Sequence, residues 1–425
     1  MPAVLLPRRL SLLSWALDFR LLFLATLGSG FGTYLAAIAL TVDVYDRTGS
    51  GTWVAALLIV DFLPMIAIGL FFGPLVDRLS RRGLMIGSDL TRLAVFCALP
   101  FAGSPTGIVI LAGIAGVATG FFRPAVYAGL PNLVPDDELA NANALLQAVE
   151  NLAWMVGPVI GGAILAVSSP DVAYWINAVT FLVSALLLLR IPARRLRSEE
   201  PLTRGHWQDL AEGFRVVRRS RALLTVFVVW NIVFVGTAAV NVAEVVVAKV
   251  SLDSGNLGFG LLVGASGLGL TLGSLWASAA LDRVGMRRLY AGSIAVMGIF
   301  FFAASLSPTV WIAAAFVVVA AAGNGCALVC NALLVQRGAP DRVRGRAFTI
   351  IMSSNYALSG LAMAAAGPLT DAFGGRWMWA GAGLIFLGGS AVAFVMARRL
   401  GPAEVGQAEL TVVEPLPEPQ HAAAH

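Results

Sequence analysis

Twelve long apolar stretches alternate with short polar turns along the chain, covering 20–42, 52–75, 84–102, 106–128, 140–166, 172–191, 222–248, 257–281, 288–306, 309–335, 346–371 and 377–398. At about 1.5 Å per residue, each is close to or beyond the ~30 Å hydrocarbon core of a bilayer. Backbone polar groups in lipid must be satisfied within the segment, and these runs are too long and too uniformly apolar for barrel strands. The pattern therefore predicts an all-α integral membrane fold of twelve transmembrane helices. One polar break, residues 192–221, separates two six-helix halves at 1–191 and 222–398. Within it Trp207, Leu210, Phe214 and Val217 recur at helical spacing opposite Arg215, Arg218 and Arg219. That face predicts an amphipathic helix lying on an anionic membrane surface, with a protein partner as the alternative. The stretch 399–425 carries Glu404, Glu409, Glu414 and Glu418 among prolines and few apolar residues, and is expected to be a disordered tail.

Composition agrees with a bilayer as solvent. The 425 residues are 58% hydrophobic and 12% charged, with mean hydropathy +0.82, far from the make-up of an ordinary soluble domain. The formal charge of +5 then reads as a topology signal and not as a nucleic-acid footprint. Arginines crowd alternate turns: Arg78, Arg81 and Arg82, the central break, Arg283, Arg287 and Arg288, Arg337 to Arg346, and Arg398 and Arg399. The intervening turns hold only Arg47, Lys249 and Arg376, which puts both termini on the cytoplasmic side. Arg8-Arg9 before an apolar run mimics a signal peptide. Yet Ala36-Ala37 sits as far past its basic flank as Ala238-Ala239 does past Arg221, so a retained first helix is expected.

The two halves echo one another. Gly73-Pro74-Leu75-Val76-Asp77-Arg78-Leu79-Ser80-Arg81-Arg82 joins the second and third segments, and Leu281-Asp282-Arg283-Val284-Gly285-Met286-Arg287-Arg288 repeats it 205 positions later. Pro135-Asp136 and Pro340-Asp341 hold the same offset, while Val156-Gly157-Pro158 pairs loosely with Ala366-Gly367-Pro368 at 210. Such echoes in register mark an internal duplication.

The first of these hairpins resembles the loop between helices 2 and 3 of the major facilitator superfamily of transporters. Gly73, Leu75, Asp77, Arg78, Arg81 and Arg82 fall on its pattern, and Ser80 replaces a Gly. The resemblance implies a conformational latch built from Gly73, Asp77, Arg78, Arg81 and Arg82 with Asp282 and Arg283; a solvated turn that only fixes topology is the alternative. Gly157-Pro158-Val159-Ile160-Gly161-Gly162 in the fifth segment resembles a motif of proton-driven antiporters, with Ala153 where the longer form has Gly. Mechanically, Pro158 removes a helix hydrogen bond and bends the segment. Phe122-Arg123-Pro124-Ala125, Leu139-Ala140-Asn141-Ala142-Asn143-Ala144-Leu145 and Asn177-Ala178-Val179-Thr180-Phe181 are similar to the bacterial macrolide-efflux and enterobactin-exporter group. One departure matters: residues 106–122 hold no charge, so the arginine that many drug–proton antiporters carry there is missing. Gly69/Gly73, Gly157/Gly161, Gly260/Gly264 and Gly269/Gly273 are small-xxx-small pairs suited to close helix contact, which the resemblance puts at the seam between halves.

Ionisable residues inside the segments are the functional candidates, since charge at depth survives only with a partner, water or a proton. Asp61 and Glu150 lie about 15 Å deep, ten residues from the nearest turn, and are the candidates for proton coupling. Glu150 ranks first, because Gln147, Asn151 and Trp154 form a polar stripe with it at helical spacing, while Asp61 has only apolar neighbours. Asp43 and Glu244 sit toward helix ends and read as interfacial. Asp89, Arg92 and Arg123 are expected to neutralise one another as a structural cluster. Gln147, Asn151, Trp154, Tyr34, Asn231 and Tyr356 are candidates for lining a substrate cavity.

No Walker pattern exists, since the one lysine, Lys249, follows Ala248. Cys97, Cys326 and Cys330 fit neither a disulfide framework nor a zinc site; no metal, catalytic residue or cofactor is expected beyond a proton gradient. The sequence reading is a monomeric transporter of a bacterial inner membrane, not an enzyme, in contact with lipid, protons and a small-molecule substrate but no nucleic acid. It would export an amphiphilic drug, antibiotic or siderophore by proton antiport through alternating access. Proton-coupled uptake, or a non-transporting receptor or assembly partner, are the alternatives.

Overall fold

In the computed structural model, residues 12–71, 79–196, 214–339 and 341–401 are described. Among them are twelve long helices: α1 Leu17–Thr48, α2 Gly51–Phe71, α3 Arg81–Ala98, α4 Pro105–Gly129, α5 Leu139–Val167, α6 Pro170–Leu189, α7 Arg221–Val246, α8 Gly255–Val284, α9 Met286–Ser305, α10 Val310–Gly338, α11 Asp341–Phe373 and α12 Gly375–Ala397. Eleven are long and apolar enough to cross a membrane, and Gly51–Asp61 is a shorter apolar stretch of α2. Their starts are written locally. Ser80, Ser104, Ser220 and Thr309 each accept a hydrogen bond from the backbone N–H three residues on, capping α3, α4, α7 and α10. The tight α8–α9 turn needs Gly285, whose φ of 75° disfavours any side chain. Of the amphipathic linker helix, Trp207 and Leu210 lie outside the described residues; 214–219 is helical, with Val217 buried and Phe214 exposed.

Packing repeats between the halves. In the first, α1 lies on α5 and α6, α3 on α4 and α6, and α2 on α4; in the second, α7 lies on α11 and α12, α9 on α10 and α12, and α8 on α10. The cores match residue by residue. Phe96 packs against Tyr174 and Phe181 with ring centroids 6.2 and 5.7 Å apart. Phe301 packs against Trp379 and Phe386 at 5.9 and 5.6 Å, and all three positions are displaced by 205. The same register holds at the seam, where α5 meets α8 and α2 meets α11.

That register corrects the looser pairing at 210. Gly162, not Gly157, is the counterpart of Gly367: a Cβ on Gly162 would lie 2.9 Å from Gly260 Cα, and one on Gly367 would lie 3.1 Å from Ala55 Cβ. The two prolines are not equivalent in the fold: Pro158 precedes its seam glycine by four residues, and Pro368 follows its own by one. The seam glycines are corrected too. Gly157 and Gly161 face α1, where Cβ atoms would meet Tyr34 Cβ at 2.8 Å and the Leu35 carbonyl at 2.7 Å, and Gly269 and Gly273 face α10. Gly162, Gly260, Gly264 and Gly267 are the ones that face across the α5–α8 seam.

All described hydrogen bonds and ion pairs between the halves lie at the end opposite the arginine-rich turns. Lys249, in the π-helical turn Val247–Ser251 after α7, pairs with Asp46 of α1. Asn256 of α8 donates to the Leu165 carbonyl at 3.0 Å. Asp371 of α11 accepts from the backbone N–H of Gly51 and Thr52 and from the hydroxyls of Ser50 and Thr52, capping α2 from the other half. This end of the bundle is closed.

Candidate functional site

Between the halves the interior is polar on the first-half side. Arg123 of α4 donates to Glu150 of α5 at 2.7 Å, with the Arg side chain 45% and the Glu side chain 17% exposed. Tyr127, one helical turn beyond Arg123, sits beside both members of the pair. Tyr34 of α1 lies near Arg123, Glu150, Asp61 and Tyr356. On α5 the stripe continues: Gln147 donates to Asn151 at 3.1 Å, both exposed, and Trp154 is half-buried. The second half supplies neutral groups. Asn231 of α7 bonds Ser354 of α11 at 2.8 Å, and Tyr356 packs edge-on against Phe234 at 5.7 Å. A cavity of about 80 Å³ opens at this spot between α2, α7 and α11, bordered by Leu63, Phe234, Asn241 and Tyr356.

The expected cluster of Asp89, Arg92 and Arg123 divides in two. Successive helix positions point about 100° apart, so Phe122 turns toward α3 while Arg123 turns toward α5 and takes Glu150. Arg92, 4% exposed, pairs with fully buried Asp89 at 2.6 Å. Its guanidinium lies between the rings of Phe122 and Phe181, 4.5 and 4.3 Å from their centroids, a geometry that returns some of the lost solvation. Arg92 Nε and Asp89 Oδ2 have no hydrogen-bond partner among the described residues. Arg92 and Asp61 border one internal cavity of about 60 Å³, beside Thr33, Thr41 and Thr119, roomy and polar enough for a few waters. Asp61 thus shares a cavity with Arg92, but no ion pair joins the two among the described residues.

The interfacial carboxylates are also revised. Asp43 is buried in a knot, accepting from Arg47 at 2.7 Å and from the Tyr174 hydroxyl at 2.9 Å. Glu244 is buried as well, and its Oε1 has no partner among the described residues; α12 covers this end of α7, with Gly375 close against Ala243 and Val247. Of the latch, Gly73, Asp77 and Arg78 lie outside the described residues. Arg82 is engaged inside its own half, donating to the carbonyls of Leu188 and Leu189 at the end of α6. Arg81, Asp282 and Arg283 form no ion pair among the described residues. In the helix 5 motif, Pro158 sits inside α5 and its carbonyl would lie 2.5 Å from a Cβ on Gly260. Tyr127, Ser354 and Asp371 are site residues the sequence reading missed; only Tyr127, four positions from Arg123, carried a readable signal.

Comparison with known proteins bears on the same stretch. The family model described as transmembrane secretion effector matches residues 14–423. The multidrug efflux pump Tap of Mycolicibacterium fortuitum is 28% identical over 371 residues, covering 83% of this chain and 89% of the relative. Macrolide efflux protein A of Streptococcus pyogenes is 24% identical over 281 residues, 60% of this chain and 68% of the relative. Among solved structures, the nucleoside transporter NupG superposes with TM-score 0.73 at 14% identity, over 90% of this chain and 99% of that one. A bacterial homologue of the iron transporter ferroportin, in an inward-facing state, gives the same score, identity and coverage. With its twelve helices in two equivalent sixes, this chain belongs to the transmembrane secretion effector family, within the major facilitator superfamily of multi-pass membrane transporters.

Proposed function

We propose that the protein exports a small amphiphilic compound in exchange for protons, with Glu150 as the principal coupling group. The observation that carries this reading is the Arg123–Glu150 pair, which is open to the interior and not sealed in a core. Protonating Glu150 removes its charge and releases Arg123; deprotonation offers a carboxylate to a cationic or hydrogen-bonding substrate beside Gln147, Asn151 and Trp154. Proton and substrate then compete for one carboxylate, which is the requirement of an exchanger. Asp61, which borders the same cavity as Arg92, is the second coupling candidate. Tyr34, Asn231 and Tyr356 border the substrate path on the other sides.

The closed end carries few arginines, so the positive-inside rule makes it the outer face and makes this an inward-open form with cytoplasmic termini. The bacterial inner membrane, the monomer and a proton gradient as sole energy source belong to the same proposal. So does the latch at Asp77, Arg78 and their neighbours, which would form when the inner end closes. Export is supported by the names of the efflux relatives. Uptake by symport and a non-transporting receptor role are separated from it by one assay. Proton-driven accumulation of macrolides, catechol siderophores and lipophilic cations is measured in inside-out and right-side-out vesicles. Export loads the inside-out vesicles, uptake the others, and a receptor neither. Glu150→Gln should abolish proton-driven loading while binding persists with a flattened pH dependence. If Glu150→Gln loads normally and Asp61→Asn does not, Asp61 takes the coupling role; normal loading by both removes the antiport reading.

A further inference from the structure

A second cavity, on the flank of the second half, has a different chemistry. α8 and α9 diverge from their shared turn at Gly285 and leave a groove of about 720 Å³ with α10 as its floor. α9 packs on α10 and α12, so the groove opens away from the seam, toward lipid. Leu272 and Trp276 form one wall and are 49% and 57% exposed; Leu289 and Val296 form the other, above Val319 and Ala322. Gly273 and Gly323 bring the three backbones together at its base, whereas a Cβ on Gly292 would meet nothing within 4 Å. Val284 to Leu272 spans about 18 Å of helix, a little more than one leaflet of a ~30 Å core.

The polar side chains along this length are already satisfied. The Ser293 hydroxyl donates to the Tyr290 carbonyl at 2.9 Å, and the Cys326 thiol donates to the Gly273 carbonyl at 3.2 Å. Only the mouth is charged: Arg288, exposed, has no ion pair or hydrogen bond to any described residue, while its neighbour Arg287 is held by the Leu400 carbonyl. An apolar trough one leaflet deep, with a free guanidinium at the arginine-rich end, suits a long hydrocarbon chain bearing an anionic head. It repels the cationic amphiphiles that the central carboxylates would attract.

We propose that this groove binds one anionic phospholipid of the adjacent leaflet, its phosphate at Arg288 and an acyl chain laid along Gly292. The site is independent of the transport reading. The test is native mass spectrometry of the full-length protein in detergent, titrated with phosphatidylglycerol and with phosphatidylcholine of the same acyl chains. One interfacial arginine gives about 1 kcal/mol of attraction, so the wild type should retain phosphatidylglycerol about fivefold better. Arg288→Gln should erase that preference without weakening phosphatidylcholine. Gly292→Trp should reduce retention of both lipids, and Gly388→Trp, at an exposed and equally open position on α12, should reduce neither. Equal retention of the two lipids by the wild type overturns the proposal, as does unchanged retention in Gly292→Trp. Displacement by inorganic phosphate would reduce the site to a head-group contact, and displacement by a lipophilic cation would reassign the groove to substrate; either outcome also overturns it. Should Gly292→Trp fail to fold, Arg288→Gln on the exposed rim still decides the matter.

Discussion

The two halves share a scaffold and differ in what fills it. Each position 205 residues apart occupies an equivalent place, and the aromatic triads and seam contacts show how closely the backbones correspond. Yet Asp89 and Arg92 of the first half correspond to Ile294 and Met297 in the second, both buried. Arg123 corresponds to Leu328, and Glu150 to Asn355, a fully buried amide with neither polar atom paired among the described residues. Shape is therefore set by small residues at crossings and by aromatic plugs, which both halves keep. Charge is an addition: buried ion pairs run through the first half, whereas the described second half buries one carboxylate, Glu244, near the end of α7. A duplicated bundle can thus concentrate ion pairing in one six-helix unit while the other supplies mainly hydrogen bonds, as Asn231 with Ser354 and Tyr290 with Asn331 do.

The hardest test of that contrast is to give the first half the core of the second. Asp89→Ile alone leaves Arg92 buried without a counter-charge, and breaking a buried pair in this way costs about 3–5 kcal/mol. The single variant should be lost from the membrane or melt far earlier. Asp89→Ile with Arg92→Met reproduces the Ile294 and Met297 pairing and should regain most of the thermal stability, because apolar replacement of a buried ion pair is often neutral or better. Transport by the double variant then separates two roles. Retained flux makes the pair a structural residue of charge; lost flux in a stable protein ties it to Asp61 through their common cavity.

The seams provide a middle-sized effect. Gly260 leaves no room for a methyl against the Pro158 carbonyl, whereas its counterpart on the other seam is already Ala55. Gly260→Ala overpacks the closed end by about 1–3 kcal/mol, and should tilt the population toward the form open at that end. Ala55→Gly should leave it nearly unchanged. Distances between spin labels flanking Asp46 and Lys249 report both, and equal responses at the two seams would remove the asymmetry.

Much of this was legible in the sequence, for definite reasons. Hydropathy and the repeated Asp-Arg hairpin located all twelve helices and the 205-residue register, because lipid demands long apolar runs and duplication preserves turns. Azimuth was not legible. Arg123 was grouped with Asp89 and Arg92 by depth alone, while the single step from Phe122 to Arg123 decides that it faces Glu150. Glu244 was assigned to an interface because it lies near a helix end, and nothing in α7 itself foretells that Gly375 of α12 closes over it. The family resemblance puts Gly157 and Gly161 at the seam, but one further residue, Gly162, holds that contact. Asp371, in turn, serves a helix 320 residues away, which no local pattern announces.

Asp371 also yields the gentlest test of the difference between the seams. On the α2–α11 seam its carboxylate caps the start of α2, collecting two backbone N–H groups and two hydroxyls, and its negative charge suits the positive end of that helix. On the α5–α8 seam the equivalent positions are Ala166 and Asn256, and the contact reverses: the Asn256 amide donates to the Leu165 carbonyl at 3.0 Å. One seam is fastened by charge and the other by a single neutral bond. Losing a helix cap costs about 1 kcal/mol, so Asp371→Ala should raise the fraction open at this end about fivefold. Asp371→Asn, which keeps the acceptor oxygen and loses the charge, should fall between it and the wild type. Asn256→Ala should have the smallest effect, and only the Asp371 response should weaken as salt rises, because exposed charge is screened. Spin-label distances at the closed end, measured at low and high salt, check all three; a salt-independent shift at Asp371 would make its cap no different in kind from the neutral bond on the opposite seam.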